Sequence, residues 1–506
     1  MGVGYLYCNY KEQAAQTLPN LLGSLLSQLA LHPRIGATVV ANIENLYEKH
    51  ALQKTRPTVQ EITKLLQGHV ASVSHFYIVV DALDECSVGG QLITECKRLC
   101  AHGKVNILVT SRNIGYIRDW FRQDGEPLSI QAQDSDVERY LTEHLSILEE
   151  SRPDLVLSTS VKEEIIKQIL QKTDGMFLLA KLHMDSVSAK HSIRQMKETV
   201  ESLPAGLDQT YEAAMARVLG QQADSSQLGK LVLTWITTAF RPLSVVELQH
   251  ALATSSNPEL TSLAQDGIID PRRLVLVCCG LVRIEKASQR IRLVHYSTQE
   301  YFDKNHSIYF PEGHRALVAT SLSYLSFDTF KECCTSGEEL RQRVHANPLL
   351  KYAAVNWSEH AKASSKLGDN LRPLVSKFLA RAGNTASNIQ IIRTRDYSIR
   401  GTTVDTKIET FRSQAASPIL GPTFFGCNEI VKQAVEEGVN VDFCDPQGRT
   451  ALSIAAELGH QEVVEFLLKF RDVDPNLQDT EDSCTPLIYA AKAGHQEVVQ
   501  LLLDNE

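Results

Sequence analysis

The fold class the sequence predicts is multidomain α/β plus α: a parallel sheet first, then helical and winged-helix domains, then a C-terminal α-solenoid. Three observations predict it. Phe76-Tyr77-Ile78-Val79-Val80 is a bulky run, mostly β-branched or aromatic, and Lys104 to Val109 is a second such run one helix later. Strand, helix, strand at this spacing is a βαβ unit, expected to be parallel and right-handed. Further on, helices lead into two strand-like runs, Gly280 to Ile284 and Ile291 to Val294, the pattern of a winged helix. From Ser417 the chain repeats itself, with Gly426, Gly459 and Gly494 falling 33 and 35 residues apart, the period of a stacked helical array.

Composition narrows the class. The chain has 506 residues, a length that predicts three or four domains, and it is 43% hydrophobic and 22% charged, ordinary for a globular protein. A net charge of −9 argues against an electrostatic surface for nucleic acid or membrane, so neither is expected as a partner. No apolar run reaches membrane-spanning length. The opening MGVGYLYCNYKEQ has neither a basic n-region nor a continuous apolar core, so it does not read as a signal peptide. Met1-Gly2 opens like a myristoylation signal, but Leu6 stands where Ser or Thr is needed. The eleven cysteines are scattered without C-x-x-C spacing, Cys278-Cys279 and Cys333-Cys334 being adjacent pairs. They read as buried reduced thiols of a cytoplasmic protein, not as a disulfide framework or zinc module.

Taken in order, Gly2 to Tyr10 reads as a strand. Leu18, Leu21, Leu22, Leu25, Leu26 and Leu29 form one apolar stripe over three helical turns, and a polar, helix-rich connection runs to His69. The Phe76 to Val80 strand reads as buried on both faces, as strands of parallel sheets are. Gln91 to Cys100 is a crossover helix, and the next strand ends in Thr110-Ser111-Arg112. A further short strand is expected at Leu128 to Ala132, before the N-cap cluster Asp134-Ser135-Asp136. Helical patterning continues to Val200, including the turn Asp174-Gly175 into an apolar helix, and Leu203-Pro204-Ala205-Gly206-Leu207 breaks it. Arg241-Pro242-Leu243-Ser244 caps a helix over Val245 to Leu252, and a short helix, Ser297 to Phe302, follows His295. Phe310 to about Ser413 reads as an all-α connector, with helices at His314 to Leu325, Leu349 to His360 and Arg372 to Arg381. Asn384 to Thr410 is polar and poor in apolar periodicity, so it reads as a loop or irregular linker.

Acids gather where the first buried strand ends. The string FYIVVDALDEC resembles the Walker B element of a P-loop NTPase, although it also fits a strand whose acidic end caps the next helix. In the resemblance Asp81 lies at the carboxyl end of the strand, where α/β sheets bind ligands, and holds a hydrated Mg²⁺ through one carboxylate. Asp84 and Glu85 are the candidate catalytic acids, a later acid of this element orienting the attacking water. VNILVTSRN resembles the sensor-1 strand of the same class, in which Arg112 would stabilise charge on transferring phosphoryl oxygens. An exposed arginine at a strand end is the alternative for Arg112.

Seven strings in order carry a wider resemblance: YLYCNYKEQ, FYIVVDALDEC, VNILVTSRN, DGMFLLAKL, LPAGLDQTYE, RPLSVVELQHAL and IRLVHYSTQEYF. The run from Tyr5 to Phe302 resembles the fungal NACHT-type members of the STAND class of signalling NTPases. In particular it resembles a nephrocystin-like NTPase module followed by the winged-helix domain also found in GPI inositol-deacylase. The resemblance implies a nucleotide-operated switch for signal transduction. ADP holds its NTPase, helical and winged-helix domains closed, and ATP with a partner opens them for oligomerisation. It also implies a winged-helix histidine on the nucleotide's phosphates, for which His295 in VHYSTQEYF is the candidate. A packed histidine at a strand–helix junction is the alternative. No G-x-S-x-G elbow occurs, so acyl hydrolysis has no sequence support.

The chain departs from that class at one place. No G-x-x-x-x-G-K-[ST] occurs in its 506 residues, since Gly103-Lys104 and Gly229-Lys230 are followed by Val and Leu. Such a loop supplies backbone N–H groups, a lysine and the hydroxyl that holds Mg²⁺. In the class it comes just before the strand matching Gly2 to Tyr10. The expectation is therefore a truncated P-loop NTPase-like sheet with an open apolar edge beside the Arg112 strand. No cofactor is expected in this chain. Mg-ATP or Mg-ADP is expected only if the full-length protein carries a phosphate loop upstream of Met1.

At the other end, GRTALSIAAELGHQEVVEFLL (Gly448 to Leu468) aligns with SCTPLIYAAKAGHQEVVQLLL (Ser483 to Leu503), and SPILGPTFFGCNEIVKQAVEEGVNVD is a degenerate earlier copy. These resemble ankyrin repeats. Ala455-Ala456 and Ala490-Ala491 let inner helices pack closely, Val463, Val464, Leu467 and Leu468 bury the outer helix, and Asp445-Pro446-Gln447-Gly448 forms the turn between repeats. Ser453 and Ile488 stand where the repeat's histidine is usual. The array stops at Glu506 without a polar capping repeat, so this end too reads as cut.

The domain expectation is a truncated NACHT-like α/β domain over 1–133, a helical domain over 134–203 and a winged helix over 204–305. A helical connector and linker over 306–415 and ankyrin repeats over 416–506 follow, the repeats at 417–445, 446–480 and 481–506. The functional expectation is a signalling or scaffold protein that binds protein partners through its ankyrin repeats, with no competent NTPase site in this chain. Its alternative is a piece of an ATP/ADP-switched signal-transduction NTPase, in which oligomerisation would follow opening.

Overall fold

Leu21, Leu22, Leu25, Leu26 and Leu29 lie on one side of α1 (Leu18–Ala30) and are buried, as their spacing demands. In the computed structural model this stripe packs against a three-stranded parallel sheet. The structure describes every residue except 14, 54, 102–103, 113, 123–124, 126, 174, 205, 257–259, 264–266, 365–370, 395–407, 471–472 and 506. The sheet comprises β1 (Gly2–Tyr7), β2 (Phe76–Asp81) and β3 (Val105–Val109), in the order β1-β2-β3. Its register sets Gly2 beside Phe76 and Tyr7 beside Asp81, then Phe76 beside Val105 and Val80 beside Val109. The remaining helices here are α2 (Gly36–Gln53), α3 (Val59–Val70), α4 (Gly89–Cys100) and α5 (Gly115–Trp120). The chain divides into two compact units, Met1–Gln131 and Ala132–Glu506.

The strand order explains which face of the first unit is dry. Right-handed crossovers that step the same way twice put every connecting helix on one face. There α1, α3 and α4 contact one another and bury Leu6, Phe76, Ile78, Val80 and Val105. Gly4 makes this close packing feasible, because a Cβ on it would meet Leu25 and Phe76 at 2.9 Å. The opposite face is wet, with Val3, Tyr5 and Tyr77 exposed, Tyr7 68% exposed and Leu108 63% exposed. The expectation that Phe76 to Val80 is buried on both faces is therefore corrected: β2 alternates, because its helices line one side. An uninterrupted apolar run does not reveal how many faces are covered. Gln28 clasps the outer edge of β1, accepting from Tyr5 N and donating to Tyr5 O, both at 2.8 Å. The strand expected at Leu128 to Ala132 does not form; Leu128 and Ile130 are exposed.

The second unit is helical apart from one small sheet. α6 (Asp134–Ser151), α7 (Thr159–Thr173), α8 (Phe177–Ser188) and α9 (Ile193–Glu201) share a core that includes Leu141, Leu145, Ile165 and Met184. Gln133 takes the N-cap of α6, and Asp134 and Asp136 fall in its first turn, where the helix dipole favours negative charge. Of the turns expected here, Asp174 and Ala205 lie outside the described residues. Next come α10 (Leu207–Leu219), α11 (Ala223–Thr238), α12 (Val245–Ser256) and α13 (Pro271–Leu276). The two-residue strand β4 (Leu243–Ser244) and the hairpin β5 (Val282–Glu285) and β6 (Arg290–Leu293) form an antiparallel sheet ordered β4-β6-β5, and α14 (Tyr296–Lys304) follows.

The connector contains α15 (His306–Tyr309), α16 (Gly313–Leu325), α17 (Gly337–Ala346), α18 (Leu350–Ala363), α19 (Arg372–Leu379) and α20 (Ala382–Arg393). Here α20 corrects the expected linker. Asn384 to Ile391 is buried and the helix runs to Arg393, while 395–407 lie outside the described residues. Its buried side chains include five amides and hydroxyls, of which Asn384, Thr385 and Gln390 bond backbone. Asn384 Nδ2 donates to Leu325 O and Phe327 O, and Gln390 accepts from Cys334 N and donates to Cys334 O, both at 2.8 Å. The last helices are α21 (Ile408–Ala416), α22 (Leu420–Phe424), α23 (Asn428–Glu436), α24 (Ala451–Leu458), α25 (Gln461–Leu467), α26 (Pro486–Ala493) and α27 (Gln496–Leu503). Among the described residues no helix is long and apolar enough to cross a membrane.

Candidate functional site

The carboxyl end of the parallel sheet gathers four of the five residues singled out from sequence: Asp81, Asp84, Glu85 and Arg112. Their arrangement follows from the turn after β2. Ala82 adopts a left-handed conformation (φ 54°, ψ 50°), which swings the chain into a short helical turn, Leu83–Glu85. Thr110, just past β3, holds this turn. Its hydroxyl donates to Asp81 Oδ1 at 2.5 Å and accepts from Ala82 N at 2.9 Å, and its carbonyl accepts from Leu83 N at 3.0 Å.

Each acid has a different setting. The side chain of Asp84 is 5% exposed and is held by Arg112, with Nε at 2.6 Å from Oδ2 and the Arg112 backbone N at 3.2 Å from Oδ1. Both carboxylate oxygens of Asp84 are thereby engaged by Arg112. Glu85 accepts from Tyr10 N at 3.2 Å. Burial raises its pKa, the Tyr10 N–H opposes that, and the neighbouring Asp84 charge adds to it. A raised pKa suits a carboxylate to the role of general base. Asp81 is half-buried and offers one carboxylate, already bonded to the Thr110 hydroxyl. Among the described residues no group of three His, Cys, Asp or Glu could hold a metal ion. This donor set fits contact with a hydrated Mg²⁺ through water and does not fit a cage of protein ligands.

His295 lies in the second unit, at the N-cap of α14. Its Nδ1 accepts from Ser297 N at 3.1 Å and lies 2.7 Å from Ser297 Oγ. The ring is exposed. Thr110 and Tyr10 were not singled out from sequence. The signal for Thr110 was a hydroxyl directly after a buried strand; for Tyr10 there was none, since its backbone makes the contact.

The helices from α22 onward stack as repeats, and the stacking explains the Gly-His pairs. Gly459 ends α24 with φ 70°, a conformation that favours glycine, and a Cβ there would meet the His495 ring at 2.6 Å. His495 Nε2 then lies 3.1 Å from Glu457 O, and His460 Nε2 lies 3.1 Å from Phe424 O one repeat earlier. Thr450 and Thr485 cap the inner helices by accepting from Ser453 N and Ile488 N, so the cap stands without the usual histidine. Asp445, whose side chain is 0% exposed, organises the turn by accepting from Gln447 N and Arg449 N and pairing with the Arg449 guanidinium. Asp479 repeats the motif with Glu481 N, Asp482 N, Cys484 N and Tyr489 OH.

Charge is unevenly divided. Residues 417–506 hold 16 acidic and 5 basic side chains, a net −11, while the preceding residues hold 44 acidic and 46 basic. Glu436, Glu437, Glu462, Asp474, Glu481 and Asp482 are exposed, whereas Arg449 is buried against Asp445.

The parallel sheet with acids at its carboxyl edge, the small antiparallel sheet among helices and the stack of helical repeats are three modules whose family matches support a NACHT-like protein with C-terminal ankyrin repeats. Three family models match the chain in that order: Nephrocystin 3, N-terminal, over residues 1–112; GPI inositol-deacylase, winged helix domain, over 216–309; and Ankyrin repeats (3 copies) over 419–506. No curated protein matches the chain. Among solved structures it is similar to the Walker-type ATPase PABY2304 of Pyrococcus abyssi. That match has 11% identity, 60% of this chain and 84% of that chain covered, and a TM-score of 0.25, too low to carry an argument.

Proposed function

We propose that this chain is a signalling scaffold whose ankyrin repeats capture a protein partner with a basic surface. The charge partition carries this reading. Nearly balanced charge over residues 1–416 gives way to −11 over the array, with Glu436, Glu437, Glu462, Asp474, Glu481 and Asp482 exposed. Such a field steers and selects a partner of opposite sign. We place the protein in the cytoplasm, where its eleven free cysteines would stay reduced. The test is capture by the full chain, by a chain ending at residue 416 and by a variant with Glu481→Lys and Asp482→Lys, at rising salt. Loss on truncation, weakening on charge reversal and steep salt dependence are expected. Capture by the truncated chain, or capture indifferent to salt, would refute the reading.

The sheet module, in this proposal, does not turn nucleotide over by itself. Two features support that: the sequence has no phosphate loop, and Arg112 is committed to Asp84. Equilibrium binding of Mg·ATP to the purified chain tests it, and tight binding would sink it. A second reading is favoured by the convergence of Asp81, Asp84, Glu85 and Arg112 on one sheet edge. Joined to a phosphate loop, Asp81 would contact Mg²⁺ through water, Glu85 would orient the attacking water, and Arg112 and His295 would contact phosphate. Oligomerisation would then accompany nucleotide exchange. In such a longer protein Asp81→Ala abolishes hydrolysis on this reading, and unchanged turnover would exclude it.

A further inference from the structure

The last repeat sets a thiol and an amine against each other. Cys484 precedes Thr485, the N-cap of α26, and Lys492 lies in the last turn of that helix. Helical side chains lean toward the N-terminus, and the long Lys492 stem runs back two turns, so that its Nζ donates to Cys484 Sγ at 2.9 Å. The turn fixes the sulfur's backbone. Asp479 Oδ2 accepts from Cys484 N at 3.0 Å and from Tyr489 OH at 2.8 Å, joining the turn to α26. Cys484 is 3% exposed, whereas Lys492 is exposed. A sulfur so enclosed admits a small oxidant more readily than a bulky reagent.

We propose that Cys484 and Lys492 form a reversible sulfenamide crosslink, installed by a peroxide. In the first step the Cys484 sulfur attacks one oxygen of hydrogen peroxide. The S–O bond forms, the O–O bond breaks, and the hydroxide released leaves as water with the Cys484 thiol proton. In the second step the Lys492 amine, its extra proton given to solvent, attacks the sulfenic sulfur. The S–N bond forms, the S–O bond breaks, and hydroxide leaves as water with one amine proton. The sulfur is oxidised by two electrons and one peroxide is reduced to two waters. A dithiol reverses the change, returning thiol and amine and ending as its own disulfide.

The contact decides the product. A sulfenic acid condenses with a neighbouring thiol or nitrogen, and the group seated on this sulfur is an amine. Hydrogen bonding to the sulfur raises the Lys492 pKa, so oxidation, which replaces that acceptor with a neutral sulfenic acid, favours release of the ammonium proton. The bond staples the acidic turn at Asp479 to Asp482 onto α26. It also removes one of the five basic charges of residues 417–506, taking their net charge from −11 to −12.

The experiment is to treat the purified full chain with hydrogen peroxide, block remaining thiols with N-ethylmaleimide, digest with trypsin and map it by mass spectrometry without reduction. Residues 472–506 contain one cysteine, Cys484, and one lysine, Lys492. The expected product is peptide 472–506, uncut at Lys492 and short of two hydrogens, with cleavage and mass restored by dithiothreitol. Recovery of Cys484 as a maleimide adduct or a sulfinic acid, with cleavage intact, would overturn the proposal. So would a peptide 472–492 short of two hydrogens, which is closure on a backbone nitrogen, or an uncut peptide carrying an added oxygen, which is an N–O–S bridge. In the Lys492→Arg variant Cys484 should persist as a sulfenic acid that dimedone labels, whereas absence of labelling would overturn the assigned order of steps. The wild-type map stands as a test even if that variant fails to fold.

Discussion

Replacing Asp445 with Ala should loosen the ankyrin stack from its first full turn. The carboxylate is fully buried and receives Gln414 Nε2 at 2.7 Å, Gln447 N at 2.9 Å, Arg449 N at 3.0 Å and the Arg449 guanidinium at 3.0 Å. Without it, three buried N–H donors and one buried cation lose their acceptor. Each unsatisfied donor costs about 1–3 kcal/mol, and breaking a buried ion pair by removing one partner costs about 3–5 kcal/mol. Arg449 keeps a second acid within reach, Glu457 Oε2 at 3.6 Å, and Glu457 is itself held by Arg393 at 2.6 and 2.8 Å. That residual contact limits the loss, so about 3–5 kcal/mol of local stability is the expected total. Two-state unfolding is not a safe assumption for a chain of several domains, so amide hydrogen exchange over residues 445–458 is the appropriate assay. At about 1.4 kcal/mol per factor of ten, exchange there should accelerate roughly 100- to 3,000-fold. Exchange less than about tenfold faster would refute the argument that this carboxylate organises the turn.

Three further outcomes follow from the same structure. Trp357 is fully buried between Phe378 and Phe425, with ring centroids 5.8 and 4.9 Å away, and its indole N–H has no partner. Trp357→Ala should cost about 3–5 kcal/mol, while Trp357→Phe, which removes the unpaired N–H, should cost less than about 1.5 kcal/mol; equal acceleration of amide exchange over α18 in the two variants would contradict this. Burial, then nearby positive groups, lowers the pKa of His183, His360 and His460 from 6.5 to about 4, about 3 and about 4. Each folded value lies below the unfolded one, so their contribution is present above about pH 6.5 and is lost as pH falls toward the folded values. The melting temperature of the second unit should drop between pH 6.5 and 4, and a flat profile would argue against these buried neutral rings. Thr110→Val should leave Asp81 Oδ1 and Ala82 N without their bonds, at about 1 kcal/mol, read as faster exchange of the Ala82 amide; unchanged exchange would remove Thr110 from the turn.

Much of this architecture was legible because it repeats or alternates. The leucine stripe of α1, the crossover helix α4 and the Gly-His pairs each have a period that sequence displays. What stayed hidden depends on partners distant in sequence. The run Phe76 to Val80 looks the same whether one or both faces are covered, and the unreversed strand order decides that. The helix α20 escaped because Asn384 and Gln390 bury amides against backbone of the preceding helices, and apolar periodicity counts neither. At the candidate site, Asp81, Asp84, Glu85 and Arg112 were found through the resemblance of their two strings to the Walker B and sensor-1 elements. That Arg112 closes on Asp84 was not, because strands separated by a whole helix had to be aligned first.

The wet side of the parallel sheet has a calorimetric meaning. Unfolding raises heat capacity because it hydrates apolar surface, ordinarily by about 12–15 cal/mol/K per residue. In the first unit, Val3, Tyr5, Tyr7, Tyr77 and Leu108 already meet water in the folded state. Their hydration is common to both states and cancels, so the unit's heat-capacity increment per residue falls below that range. Its stability curve is correspondingly flat. Its stability should therefore change with temperature less than that of a sheet closed on both sides.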